Sequence, residues 1–153
     1  MIAIFDLDGT LSLPDHRRHF LEEKPKNWKA FNEACEDDKP NIPVIALFQI
    51  CHHDYQFILS GRSEDMKYDT VEWLEQYGVM NWDGLYMREK GDHRDDTIVK
   101  KELFQELKTD LECDNPDRIF HNHDFIIFDD RQKVVDMWRE MGLTCCQVAP
   151  GNF

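Results

Sequence analysis

Apolar positions along the 153-residue chain come in two rhythms. Short unbroken apolar runs bounded by polar residues predict buried strands. Residues 2–6 open the chain this way, and "YQFILSGR" (55–62) is a second run, leading into a Ser-Gly turn. "DGLYMRE" (83–89) is a short third strand, "DFIIFDDR" (124–131) a fourth and "LTCCQVA" (143–149) a fifth. Between them the apolar spacing stretches to three and four. Residues 15–36 carry helical patterning broken near Pro25, with Trp28, Phe31 and Cys35 recurring and Asn27 placed as an N-cap. Pro40 and Pro43 punctuate its exit. A helix over about 43–53 puts Val44, Leu47, Phe48 and Cys51 on one face. Ser63 is suited to cap a helix over 64–77 that Gly78 ends. Asp96 is suited to cap "TIVKKELFQELKTDLE", where Val99, Leu103, Leu107 and Leu111 fall four apart. "KVVDMWREMG" predicts a last helix ending at Gly142.

Strands alternating with helices predict an α/β fold: a Rossmann-like parallel sheet with helices on both faces and right-handed crossovers. The length suits one domain over 1–153, with a small helical insertion at about 13–40 after the first strand. In such sheets the chemistry sits at the carboxyl ends of the strands. "IAIFDLD", "FILSGR" and "IIFDD" all end in polar residues, so Asp6, Asp8, Asp129 and Asp130 are expected at one edge. Four carboxylates together repel unless a cation lies among them. An all-oxygen set beside a phosphate suits Mg²⁺. Ser60, Arg62 and a lysine would add donors and positive charge. Carboxylates, a hard cation and phosphate-sized donors point to phosphoryl transfer, where catalysis is mostly positioning and neutralisation of charge.

Charge and cysteines narrow the picture. A formal charge of −13 works against broad adhesion to nucleic acid or an anionic membrane, while leaving room for a local cationic pocket. Cys35, Cys51, Cys113, Cys145 and Cys146 form no C-x-x-C pair and read as free thiols. Cys145 and Cys146 would face opposite sides of a strand. "HNH" at 121–123 has no metal-site pattern around it, and His16 and His19 read as surface residues. Neither a membrane-length apolar stretch nor a signal-peptide pattern is present, so the expected location is the cytoplasm, a host's if the chain is phage-encoded.

"FDLDGT", "ILSGR", Lys100 in "TIVKKE" and "IIFDD" resemble the four motifs of the haloacid dehalogenase superfamily of phosphatases, in order and on the expected elements. "GDHRDDTIVKKELF" and "FDDRQKVVDMWREMGLTCCQVAPGNF" resemble, more closely, the phosphatase domains of bacteriophage polynucleotide kinase/phosphatases. The likeness is weakest over 18–50 and 109–123. It implies the haloacid dehalogenase fold and a nucleophile at Asp6, which forms an aspartyl-phosphate. It implies a general acid, then base, at Asp8. Ser60, with Gly61 beside it, and Lys100 would bind the phosphoryl group. Mg²⁺ would be held among Asp6, Asp8, Asp129 and Asp130, and one of the last two would position Lys100. Asp130 also fits a helix N-cap before "RQKVVDMW". Arg17 and Arg62 match functional positions and would fork onto a phosphate, with Arg18 an alternative by one place. Asp96 matches another; it fits an N-cap and, four residues before Lys100, could orient that ammonium.

Those enzymes carry a kinase domain with a G-x-x-x-x-G-K-[ST] pattern, which this sequence lacks, so kinase activity is expected to be absent. Only 54 positions separate Asp6 from Ser60, and 40 separate Ser60 from Lys100, too few for a large cap domain. An open site admits the end of a polymer. The expected substrate is therefore a 3′-phosphorylated DNA or RNA end, with a 2′,3′-cyclic phosphate conceivable. Lys67, Arg88, Lys90 and Arg94 would form a small basic rim. No membrane partner is expected. A soluble nucleotidase is the alternative that the net charge favours. A phospho-receiver module fits badly, because "ILSGR" ends its strand without an aspartate.

Overall fold

The structure, a computed structural model, describes residues 1–22, 24–50 and 54–151. Five strands form one parallel sheet: β1 (Ile2–Phe5), β4 (Tyr55–Ser63), β5 (Gly84–Arg88), β6 (Phe125–Arg131) and β7 (Thr144–Gly151), in the order β5-β4-β1-β6-β7. The chain builds outward from β1 through β4 to β5, then returns to β1's other side for β6 and β7. The strand order therefore reverses at β1, and the crevice beyond its carboxyl end is where such sheets bind ligands. Phe5 pairs in register with Ile58 on one side and Phe128 on the other. That register sets Asp6, Leu59 and Asp129 level with one another.

Alternation along β1 divides the core. Ile2 and Ile4 face α4 (Asp96–Asp114) and α5 (Gln132–Glu140), packing with Val99, Leu103, Phe104, Leu107, Val134 and Trp138. Ala3 and Phe5 face α2 (Ile42–Ile50) and α3 (Lys67–Gln76), packing with Val44, Ile45, Phe48, Trp73 and Leu74. Phe5 stacks on Phe128 at 4.5 Å and meets Phe48 edge-on at 5.0 Å. Each face buries apolar rings directly beneath Asp6, so the nucleophile candidate starts from the least yielding part of the sheet.

The five strands and the two-faced layering follow the sequence. The helical patterning over 15–36 is broken near Pro25, as expected, but little of it is α-helix. A 3₁₀ turn, Asp15–Leu21, leads to the short α1 (Trp28–Glu33), and a second turn covers Ala34–Asp37. The inward-facing side chain of the first turn is Arg17, fully buried, so no apolar stripe is available to hold a long helix there. Trp28 is about half exposed. Asn27 does cap α1, accepting from the Ala30 N–H at 3.1 Å. Two short strands, β2 (Ser12–Leu13) and β3 (Lys39–Pro40), pair antiparallel and bring the two ends of this segment together. They return the chain, at Asp38, beside Asp8.

The expected caps shift as well. Ser63 caps no helix: its hydroxyl donates to Asp65 and a 3₁₀ turn precedes α3. Asp95, not Asp96, caps α4, accepting from the Thr97 N–H at 3.0 Å. Arg131 takes the cap position of α5, which leaves the Asp130 carboxyl for the site. Gly78 and Gly142 end their helices with positive φ, as expected. Cys145 is buried and Cys146 exposed, on opposite faces. The expected place of Cys51 on a helix face, and of Asn152 and Phe153 in the "PGNF" likeness, lies outside the described residues. No described helix is long and apolar enough to cross a membrane.

Candidate active site

Three strand tips converge at the carboxyl edge of β1. Asp6 follows β1 directly, its N–H bonded to the Phe128 carbonyl at 2.9 Å. Asp129 and Asp130 lie on β6, Ser60 on β4 and Lys100 one turn into α4. All five are buried. Lys100 Nζ donates to Asp6 Oδ1 at 2.7 Å and Asp129 Oδ2 at 2.8 Å. Trp138 Nε1 lies 3.3 Å from the same Asp129 oxygen.

Asp6, Asp129 and Asp130 each bring a carboxylate oxygen within 4.8 Å of the others. Among the described residues, Asp130 Oδ1 is the buried side-chain oxygen with no hydrogen-bond partner. Burial and the neighbouring Asp129 push the Asp130 carboxyl up to about 6. Burial also pushes Asp6 upward; Lys100 pulls it down, while Asp129 and Asp130 add to the rise. For Lys100, burial is outweighed by Asp129 and Asp6, which hold the ammonium well above the usual lysine range. A buried all-carboxylate set with an orphaned oxygen is a fit for a hard divalent cation.

Asp8 departs from the metal set expected for it. Its carboxylate is held by two guanidiniums instead. Arg62 grips it side-on, Nε to Oδ2 at 3.2 Å and Nη2 to Oδ1 at 2.5 Å, and Arg17 Nη2 donates to Oδ1. Burial raises the Asp8 carboxyl, but Arg62 and Arg17 outweigh it and hold the group far below the ordinary carboxylate range. The tight loop carrying Asp8 requires Gly9 at φ +98°, and a Cβ there would overlap the Asp130 carboxyl.

The residue that sequence reasoning missed is Asp38. It is buried and accepts from Arg17 Nε at 2.7 Å, Arg17 Nη2 at 2.6 Å, Arg62 Nη2 at 3.2 Å and Ser12 Oγ at 3.0 Å. His16 Nε2 lies 3.0 Å from Asp38 Oδ1, the oxygen that also takes Arg17 Nε. Within "CEDDKP" it looks like one more solvated acid. The available signal was indirect: two inward arginines need more than one carboxylate. Arg17 and Arg62 are thus brought to the site, but neither is a free fork. Arg62 also donates to Thr70 Oγ1 and Arg17 to the Phe31 carbonyl, while the Phe31 ring lies 4.1 Å from the Arg17 guanidinium carbon. Arg18, the alternative, pairs with Asp15 and pulls the Asp130 carboxyl down.

Asp96 does not touch the Lys100 ammonium. It contributes to the field around it, and its carboxylate bonds Arg88 at 3.0 Å and Arg131 at 3.4 Å. Gly61 has no side chain because that space is filled by the Asp96 carboxylate. Ser60 Oγ accepts from the Arg62 N–H at 3.1 Å. Three of the four cations expected as a basic rim are paired with acids: Lys90 with Asp65, Arg94 with Asp92 and Glu102, and Arg88 with Asp96. Surface acids thus take up three cations that would have faced a polyanion.

The family described as "Polynucleotide kinase PNKP phosphatase domain" matches residues 1–153. A putative bifunctional polynucleotide kinase/RNA ligase of Autographa californica nuclear polyhedrosis virus is 30% identical over 143 residues, covering 91% of this chain and 18% of that protein. A chain of the solved Pnkp1/Rnl/Hen1 RNA repair complex is 34% identical with a TM-score of 0.76, covering 99% of this chain and 43% of that one. This chain therefore spans under half the length of these relatives. A HAD family enzyme of Bacteroides thetaiotaomicron, solved with magnesium and inorganic phosphate, shares the fold at 12% identity and a TM-score of 0.52, covering 99% of this chain and 96% of that one.

Proposed function

The chain belongs to the family of polynucleotide kinase PNKP phosphatase domains, phosphomonoester hydrolases of the haloacid dehalogenase superfamily, and on that premise we propose that it removes 3′-phosphates from DNA or RNA ends. The observation that carries the chemistry is Lys100 seated between Asp6 and Asp129 at the edge where three strand tips meet. In this reading an Asp6 oxygen attacks phosphorus as the bond to the sugar oxygen breaks, leaving an aspartyl-phosphate. Asp8 supplies the proton that the departing alkoxide needs. It then takes a proton from the water that cleaves the aspartyl-phosphate, releasing phosphate. The strong hold of Arg17 and Arg62 keeps Asp8 ionised at rest, which suits the second step. The first requires that hold to loosen, which an incoming phosphate allows by offering both guanidiniums another acceptor. Asp8 then takes up a proton from solvent before passing it to the alkoxide, and the proton later taken from water returns to solvent.

Asp6, Asp129 and Asp130 would hold Mg²⁺. Bound there, the ion supplies charge neutralisation, for the approaching phosphate and for the carboxylates themselves. Ser60 and Lys100 bind the phosphoryl oxygens, and Lys100 keeps Asp6 aimed. A polynucleotide end as the substrate is supported by the relatives, named for polynucleotide kinase, RNA ligase and RNA repair.

The test is phosphate release from matched oligonucleotides bearing a 3′- or a 5′-phosphate, with the corresponding mononucleotides beside them. Release from 3′ ends, little from 5′ ends and a shallow salt dependence are expected, since few backbone phosphates would be neutralised. A clear preference for free mononucleotides would move the assignment to a nucleotidase, the reading that the −13 charge and the paired rim cations favour.

A further inference from the structure

Arg88, the last residue of edge strand β5, spends its guanidinium on four separate groups. Nε donates to the Gly61 carbonyl at 2.7 Å and Nη1 to the carbonyls of Arg94 at 2.8 Å and Asp92 at 3.3 Å. Nη2 donates to Asp96 Oδ1 at 3.0 Å. The pairing of β4 with β5 explains why a side chain is needed there. It runs regularly to Ser60 opposite Met87, then slips, so that Ser63 lies opposite Arg88. Gly61 and Arg62 fall inside this irregularity, and the Arg88 side chain serves the Gly61 carbonyl there.

The Gly61 carbonyl and the Arg62 N–H belong to one peptide unit, which is planar. The carbonyl is fixed on Arg88, and the N–H points to Ser60 Oγ at 3.1 Å. Rotating this plane would break both bonds together. With one lone pair of Ser60 occupied by that N–H, its own hydroxyl proton is free to donate to a phosphoryl oxygen. The same guanidinium holds Asp96 at the start of the helix that bears Lys100.

We propose that Arg88 is a positioning residue for the phosphatase reaction. It locks the Gly61–Arg62 peptide so that the Ser60 hydroxyl is presented to the phosphoryl group, and it ties this loop to α4. It does not touch substrate. The proposal rests on the phosphomonoesterase reading of the site, and not on the choice of 3′ ends.

The test uses Arg88→Lys and Arg88→Gln on p-nitrophenyl phosphate, with a 3′-phosphorylated oligonucleotide in parallel. A lysine keeps the charge but lacks the planar fork that serves these acceptors together. Expected are a fall in kcat of about 10- to 100-fold on both substrates, the range that small misplacements cost, and KM within about threefold. The decisive arm is the pair with Ser60→Ala. If Arg88 acts through Ser60, the double variant Ser60→Ala/Arg88→Lys falls to the level of Ser60→Ala alone. Losses that multiply, a wild-type kcat in Arg88→Lys, or a raised KM at constant kcat would each overturn the proposal; the last would return Arg88 to a substrate-binding rim. Arg88 ends an edge strand, and thermal melts of both variants within a few degrees of wild type confirm that folding is not what is read. Hydrolysis of p-nitrophenyl phosphate by the wild-type chain without turnover of the oligonucleotide would count against 3′-end specificity and leave this test intact.

Discussion

Replacing Asp38 by asparagine probes the part of the site that sits farthest from the reacting atoms while still holding them. The carboxylate takes both branches of Arg17 and one of Arg62, and all three side chains are buried. Asparagine keeps the shape and one acceptor but removes the charge. It also turns an NH₂ toward guanidinium donors. Two buried cations would then face Asp8 as their remaining carboxylate. Breaking a buried ion pair from one side costs about 3–5 kcal/mol, because a charge is left unpaired. For a chain of this size each kcal/mol is worth about 2–4 °C in Tm, so a fall on the order of 10 °C is expected. Turnover should fall further than stability requires. Arg17 and Arg62 aim Asp8, and a displacement of about 1 Å costs on the order of 10²-fold in rate. Thermal melts, and kcat on a 3′-phosphorylated oligonucleotide measured at least about 20 °C below the variant's midpoint, separate the two effects. A variant that melts with wild type and turns over within twofold would show that Asp38 is a bystander.

The remaining predictions concern the carboxylates at the centre. Asp6→Asn should abolish hydrolysis, because an amide oxygen does not displace the leaving group; Asp8→Asn should cost far more on an alkyl phosphate than on p-nitrophenyl phosphate, whose leaving group needs little protonation. Equal losses on the two substrates would remove Asp8 from the acid role. Stability should respond to pH through Asp130. Its carboxyl is raised from the ordinary 3.8 to about 6, so the metal-free fold is favoured while the group is protonated and loses up to about 3 kcal/mol as pH rises through 6. Asp8 has the opposite sign: its contribution is complete above about pH 4 and is lost only in strong acid. Between pH 5 and 7 the metal-free Tm should therefore fall, and the rise in Tm on adding Mg²⁺ should be larger at pH 7 than at pH 5. An equal or larger Mg²⁺ effect at pH 5 contradicts the assignment of Asp130 to the metal.

The sheet was legible because apolar runs end abruptly at chemistry-bearing residues, as in "IAIFD" and "IIFDD". Burial of both faces leaves such strands no other role. Lys100 was legible through the resemblance of "TIVKKE" to a phosphatase motif; periodicity alone leaves it a solvated helix position. What the sequence hid is the contact that closes residues 14–38 on itself. Arg17 and Asp38 lie 21 positions apart with no periodic signal between them, and their pairing is decided by a two-residue hairpin, β2 with β3. Local pattern also misjudged the caps. At adjacent aspartates such as Asp95 and Asp96, composition does not say which one holds the extended backbone that an N-cap needs, and the answer sent Asp96 to Arg88 and Arg131 instead.

Local charge balance reconciles the −13 of the whole chain with a phosphate substrate. At the strand edge five carboxylates, Asp6, Asp8, Asp38, Asp129 and Asp130, meet three cations, Arg17, Arg62 and Lys100. The guanidiniums of Arg17 and Arg62 are matched by Asp8 and Asp38, which leaves Lys100, with a weaker pull from Arg18 on Asp130, to offset Asp6, Asp129 and Asp130. That half of the site is short of positive charge. The shortage is visible in the raised carboxyls of Asp6 and Asp130 and in the orphaned Asp130 oxygen. A single divalent cation held there would remove the deficit and favour the ionised form of Asp6 that a nucleophile requires. A phosphate dianion then arrives at a surface that is neutral locally, whatever the total. The long-range repulsion that remains is screened within about 8 Å at physiological salt. It acts on the rest of a polymer more than on its terminal phosphate. The arrangement therefore favours gripping one phosphate at the end of a strand over lying along its length.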